Sequence, residues 1–132
     1  MGAWGVGAFD NDDAADWVAE LEEAATIEPV VTALRTATAD GYLEAPDCCI
    51  ALAAAETVAA ALGRAAVGVP DKVARWASTH RPQVSDDLIQ LAQSAIRRIE
   101  TQSELQELWQ ESDELEAWVA TIKDLERRLR VT

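Results

Sequence analysis

The chain has 132 residues and a mass of 14.3 kDa, with 49% hydrophobic residues and eleven Lys and Arg against twenty-four Asp and Glu, a formal charge of −13. A chain of this length buries about two thirds of its unfolded surface in one core, so residues 1–132 are expected to form a single domain. Such a charge repels phosphate backbones and anionic lipid, which excludes nucleic acid and membrane as partners. No apolar run approaches the roughly twenty residues of a membrane helix, and no charged-then-apolar leader is visible, so a cytoplasmic setting is expected. Met1-Gly2 does not open a myristoylation motif, because Val6 stands where Ser or Thr is needed.

Residues 1–9 carry Gly2, Gly5 and Gly7 among Trp4, Val6 and Phe9, and are expected to be an irregular plug on a helical bundle that occupies residues 10–132. From there on apolar residues recur at helical spacing, which predicts an all-α fold of about six helices. A first helix begins at Asp10 or Asn11 and buries Ala14, Trp17, Val18 and Leu21. Pro29 opens a second, with Val30, Leu34 and Ala37 on its apolar face. Asp40-Gly41 makes a turn, and Pro46 and Gly63 bracket a third helix whose only polar side chains between Cys48 and Leu62 are Glu56 and Thr57. An apolar surface on all sides marks that alanine-rich helix as the centre of the bundle.

Val69-Pro70-Asp71 starts a short helix with Val73, Trp76 and Ala77, which Pro82 ends; His80, the only histidine, is expected to be solvated in the loop before that proline. Ser85 caps a fifth helix with Asp86 and Asp87 in its first turn. Ser103 and Gln106 form a capping box for a last segment that buries Leu105, Leu108, Leu115, Trp118, Ile122, Leu125 and Leu129. This segment is one long helix or two, since Ser112-Asp113 can cap a second, and its charged face is expected to meet solvent.

The glycines fit neither the dinucleotide-binding nor the P-loop pattern. Asp10, Asn11, Asp12, Asp13 and Asp16 cluster oxygen atoms suited to a hard cation. Their spacing is not that of a calcium loop, and a helix cap with acids in its first turn accounts for them without metal. Glu56, on an apolar helix, is the sharpest single residue. It is expected to be tied to an arginine, Arg35, Arg64 or Arg75, or to backbone N–H groups, or else to be a desolvated proton-transfer group. Adjacent Cys48 and Cys49 would be strained as a disulfide and read as reduced, buried apolar side chains, with a redox switch or metal pair as the alternative. His80 has no ligand-spaced Cys or His, so no zinc site is expected, and no cofactor is implied. Among five tryptophans, Trp109 stands beside Glu107, Glu111 and Asp113, and is expected to present an exposed edge to a partner.

The leader GAWGVGAFDNDDAADW, the helix CIALAAAETVAAALG and the SELQELWQES ending with its later DLERRL resemble a bacterial family, domain of unknown function 4259. That resemblance spans nearly the whole chain and implies a small stand-alone bacterial protein; it transfers no activity and no catalytic residue.

Two functions follow as expectations. The first is a non-enzymatic acidic module, of the inhibitor or immunity type, that engages a basic protein surface through Asp10, Asp13, Asp16, Trp109, Glu111 and Asp113. The second is a metal-assisted hydrolase or acid–base enzyme in which Glu56 converges with Asp10, Asp13 or Asp16. It requires those carboxylates to meet in space. The sequence leaves the oligomeric state open.

Overall fold

The structure, a computed structural model, describes residues 5–24 and 26–130. Gly2 and Trp4, part of the expected plug, lie outside these residues. Among those described there are seven α-helices, a single 3₁₀ turn (Arg81–Gln83) and no strand: α1 (Asp12–Ala24), α2 (Glu28–Thr38), α3 (Ala45–Ala61), α4 (Asp71–His80), α5 (Asp86–Thr101), α6 (Glu104–Gln110) and α7 (Leu115–Arg128). None of the helices is long and apolar enough to cross a membrane.

The alanine-rich α3 is the axis of the bundle and touches each of the other six helices. Between Cys48 and Ala61 every residue except Ile50 is buried. Alanine at Ala51, Ala53, Ala54, Ala55, Ala59 and Ala60 keeps the neighbouring backbones close, and the bulk of the core comes from those neighbours, through Leu21, Leu34, Ile96, Ile99, Trp118 and Leu125. The ends of α3 are held from a distance. Glu104, at the start of α6, accepts the Ala45 N–H at 2.7 Å, because Glu44 at the N-cap supplies no side-chain bond. At the other end Gly63 adopts φ +82° and the chain closes with Gly63 N–H to Ala60 O at 3.0 Å and Arg64 N–H to Ala59 O at 2.9 Å.

Caps read from the sequence form as expected. Asn11 Oδ1 accepts from Ala14 N at 2.8 Å, Ser85 Oγ from Leu88 N at 3.2 Å and Ser103 Oγ from Gln106 N at 3.2 Å. The last segment is two helices, which makes seven where about six were expected. Ser112 Oγ donates to Trp109 O at 2.8 Å and accepts from Glu114 N at 3.1 Å, diverting backbone groups that a continuous helix would pair internally.

Two expectations about ring side chains fail. Trp109 is buried, 8% exposed, because it stacks on Trp118 with centroids 6.4 Å apart, so it offers no edge to a partner. His80 is not a solvated loop residue: it ends α4, 7% exposed, stacked on Trp76 at 4.3 Å with Nδ1 3.0 Å from Trp76 O. The described part of the N-terminal plug packs as expected, with Val6 and Phe9 half-buried against the core and Thr121 Oγ1 donating to Val6 O at 3.4 Å.

Candidate functional site

Glu56 projects from α3 toward α7, and its partner is Arg128. Arg128 Nη1 donates to Glu56 Oε1 at 2.8 Å and Nη2 to Oε2 at 2.9 Å, a two-pronged pair of the kind guanidinium and carboxylate planes favour. The expected partners are elsewhere. Arg75 faces Glu22 at 3.6 Å, Arg35 is exposed on α2, and Arg64 donates to the Arg128 and Arg130 carbonyls. Arg128 in turn donates to Arg64 O at 3.1 Å, so two arginines cross-tie the end of α3 to the end of α7.

Arg128 Nε donates to Asp124 Oδ2 at 2.8 Å, and Arg127 Nη2 to Asp124 Oδ1, also at 2.8 Å. The hydrogen bonds from Arg127 and then Arg128 hold the Asp124 carboxyl below the usual carboxylate range. Glu56 acts the opposite way on its partner: its hydrogen bonds outweigh desolvation and stabilise the charge of Arg128.

This pair lies in a cleft of about 440 Å³ between the Gly7–Asp10 loop, the 66–69 loop and α7. Asp10, Glu56, Asp124 and Arg128 all line it, so one of the three leader carboxylates named with Glu56 does share a cavity with it. Asp13 and Asp16 do not line the cleft. Asp16 is exposed on α1, and Asp13 lies near Cys49, whose thiol is pushed up to about 12 by burial first and the Asp13 charge second. Cys48 is raised as well, chiefly by burial, and both cysteines are free thiols. Glu111 and Asp113 are exposed where α6 gives way to α7.

The carboxylates of the cleft are already engaged. Both oxygens of Glu56 and both of Asp124 accept from arginine, and Asp10 Oδ2 accepts the Gly7 N–H at 3.2 Å. A Cβ on Gly7 would stand 2.6 Å from that same oxygen, so glycine is what permits this contact. Among the described residues no three His, Cys, Asp or Glu side chains are grouped to hold a metal ion. Chemically the arrangement is a neutralised cross-tie with two acids at its margin.

Over residues 2–121 the sequence matches a family described as a domain of unknown function, DUF4259. The chain belongs to DUF4259. No curated protein and no solved structure matches it. The leader and the alanine helix on which the resemblance rested fall wholly within the matched region, whereas Asp124 and Arg128 lie beyond its end. In this DUF4259 chain the cross-tie therefore joins a residue of the matched region to one outside it.

Arg128 and Asp124 were absent from the candidates read in the sequence, which assigned the charged face of the last helix to solvent. The signal was present nonetheless. Arg128 follows Leu125 by three and precedes Leu129, which sets a cation on the edge of the buried stripe, opposite Glu56, the one buried carboxylate of α3.

Proposed function

We propose that the protein is a non-enzymatic acidic binding module that engages a basic surface on another protein. One observation carries this reading: among the described residues only five of the twenty-four acids, Glu22, Glu56, Glu100, Asp124 and Glu126, enter an ion pair. The other acids have no ion-pair partner among the described residues, and many are exposed, as at Asp12, Asp16, Glu20, Glu23, Glu111 and Asp113. A field of this sign attracts a basic protein and accelerates its encounter. Asp10, Asp13 and Asp16 near the start of α1, with Glu111 and Asp113 at the other exposed turn, are the contacts this reading uses. Two free thiols side by side fit a cytoplasmic setting.

The enzymatic alternative draws on the shared cleft of Asp10, Glu56 and Asp124. It is the weaker reading because the deepest of these carboxylates spends both oxygens on Arg128.

Affinity capture of the tagged chain from its own cells, with cross-links located by mass spectrometry, tests the module. The expected partner is basic, cross-links to acidic faces of the chain, and associates more slowly as salt is raised. Capture of no partner, or an association rate indifferent to salt, overturns the reading.

A further inference from the structure

The exposed acids do not all lie on featureless surface. A groove of about 440 Å³ runs between α1, α2 and α3, where Ala24, Pro29 and Ile50 supply accessible apolar lining and Glu20, Glu28 and Asp47 supply carboxylates. Trp17 and Ala33 are buried and form its floor, whereas Glu20 and Glu28 are exposed at its edge. Ile50 is the one position between Cys48 and Ala61 at which the central helix is not buried, so the groove reaches an otherwise enclosed stretch of α3. No Lys, Arg or His lines the groove, and none of its three carboxylates has an ion-pair partner among the described residues. The contrast with the Glu56 cleft is one of charge balance: there an arginine of the chain itself fills the role, here none does.

We propose that this groove is the docking site for an arginine-bearing segment of a basic partner protein, an assignment that rests on the acidic-module reading and gives it a place. An arginine side chain meets both halves of the lining. Its methylene stem covers apolar surface while its head stays near water, and its planar guanidinium matches carboxylates. A volume of this size lies within the range of pockets that enclose a small ligand group.

The test is a titration of the full chain, followed by NMR, with a short synthetic peptide of alternating arginine and serine at low salt. Shifts are expected to concentrate at the Trp17 indole and the amides of Ala33 and Ile50. Glu20→Gln/Glu28→Gln/Asp47→Asn is expected to weaken binding about tenfold, the sum of three modest ion pairs. A variant of equal net charge altered away from the groove, Asp71→Asn/Asp87→Asn/Glu116→Gln, is expected to weaken it less than about twofold. Shifts spread over the whole acidic surface, or equal losses in the two triple variants, overturn the groove and leave the acidic module standing. A peptide that does not bind at all overturns both. Displacement of the peptide by a lower concentration of spermine overturns the protein-partner assignment in favour of a small polycation. The mapping on the unaltered chain decides the question even where a triple variant fails to fold.

Discussion

Arg128→Ala isolates the energetics of the cross-tie. The substitution removes both bonds to Glu56, one to Asp124 and one to the Arg64 carbonyl, and it strands a carboxylate whose side chain is only 8% exposed. Removing one partner of a buried pair costs about 3–5 kcal/mol, mostly because the remaining charge keeps its desolvation penalty and loses its compensation. Arg128 itself is 16% exposed, so water reaches part of the site and the lower end applies, about 3 kcal/mol. For a chain of this length that is a fall in Tm on the order of 10 °C.

Urea denaturation followed by far-ultraviolet circular dichroism reads the loss, and a second variant identifies its origin. Glu56→Leu/Arg128→Met removes both charges and retains apolar volume, so it is expected to recover most of the stability that Arg128→Ala loses. A single variant within about 0.5 kcal/mol of the parent would refute the buried-pair account. A double variant no better than the single would place the cost in lost arginine packing instead.

Tyr42, the only tyrosine, donates to Glu107 at 3.1 Å, and desolvation followed by that bond pushes its phenol up to about 12. Absorbance titration therefore reports one residue, and Glu107→Gln is expected to move the midpoint back toward 10.0, the ordinary value; an unmoved midpoint contradicts the assignment. Cys49 keeps its proton in the folded chain up to about 12 against an ordinary 9.0, so between these values the unfolded chain binds fewer protons and stability falls as pH rises. The slope from this thiol is about 1.4 kcal/mol per pH unit, and a Cys49→Ala variant with an unchanged slope would count against it. Ser103→Ala removes the cap of α6 and the 2.6 Å bond from Ser103 Oγ to Ile99 O, at an expected cost of about 1–2 kcal/mol by denaturant melting.

The parts of the fold legible in the sequence are those set by local chemistry. Asn11, Ser85 and Ser103 cap helices because their oxygens lie within three residues of the N–H groups they accept, and α3 is central because a helix apolar on every side has nowhere else to go. What the sequence hid depends on partners far along the chain. Glu104 caps a helix that begins 59 residues before it, and Arg98 of α5 donates to the Ala37, Ala39 and Gly41 carbonyls at the end of α2. Arg128 finds Glu56 72 positions away. No local periodicity encodes such pairings. A buried charge does announce that it needs a counter-ion, and Glu56 made that demand without naming which arginine answers it. Trp109 failed for a related reason: the acids around it in sequence say nothing of Trp118, on which it stacks.

Charge balance separates the two cavities as places for function. In the cleft, a substrate or cation that sought Glu56 or Asp124 would compete with hydrogen bonds of 2.8–2.9 Å already made to arginines of the chain itself. Breaking them leaves Glu56 buried and unpaired, so a ligand must first offset the stability that the cross-tie contributes. In the α1–α2–α3 groove no such competitor lies among the described residues, and the edge carboxylates remain hydrated until a partner arrives. Replacing water on an exposed carboxylate by a guanidinium carries little desolvation cost, and each such pair contributes modestly. Specificity there must come from the Pro29 and Ile50 surface that accompanies the charges. The acidic composition then supplies the encounter rate, and the groove supplies the register.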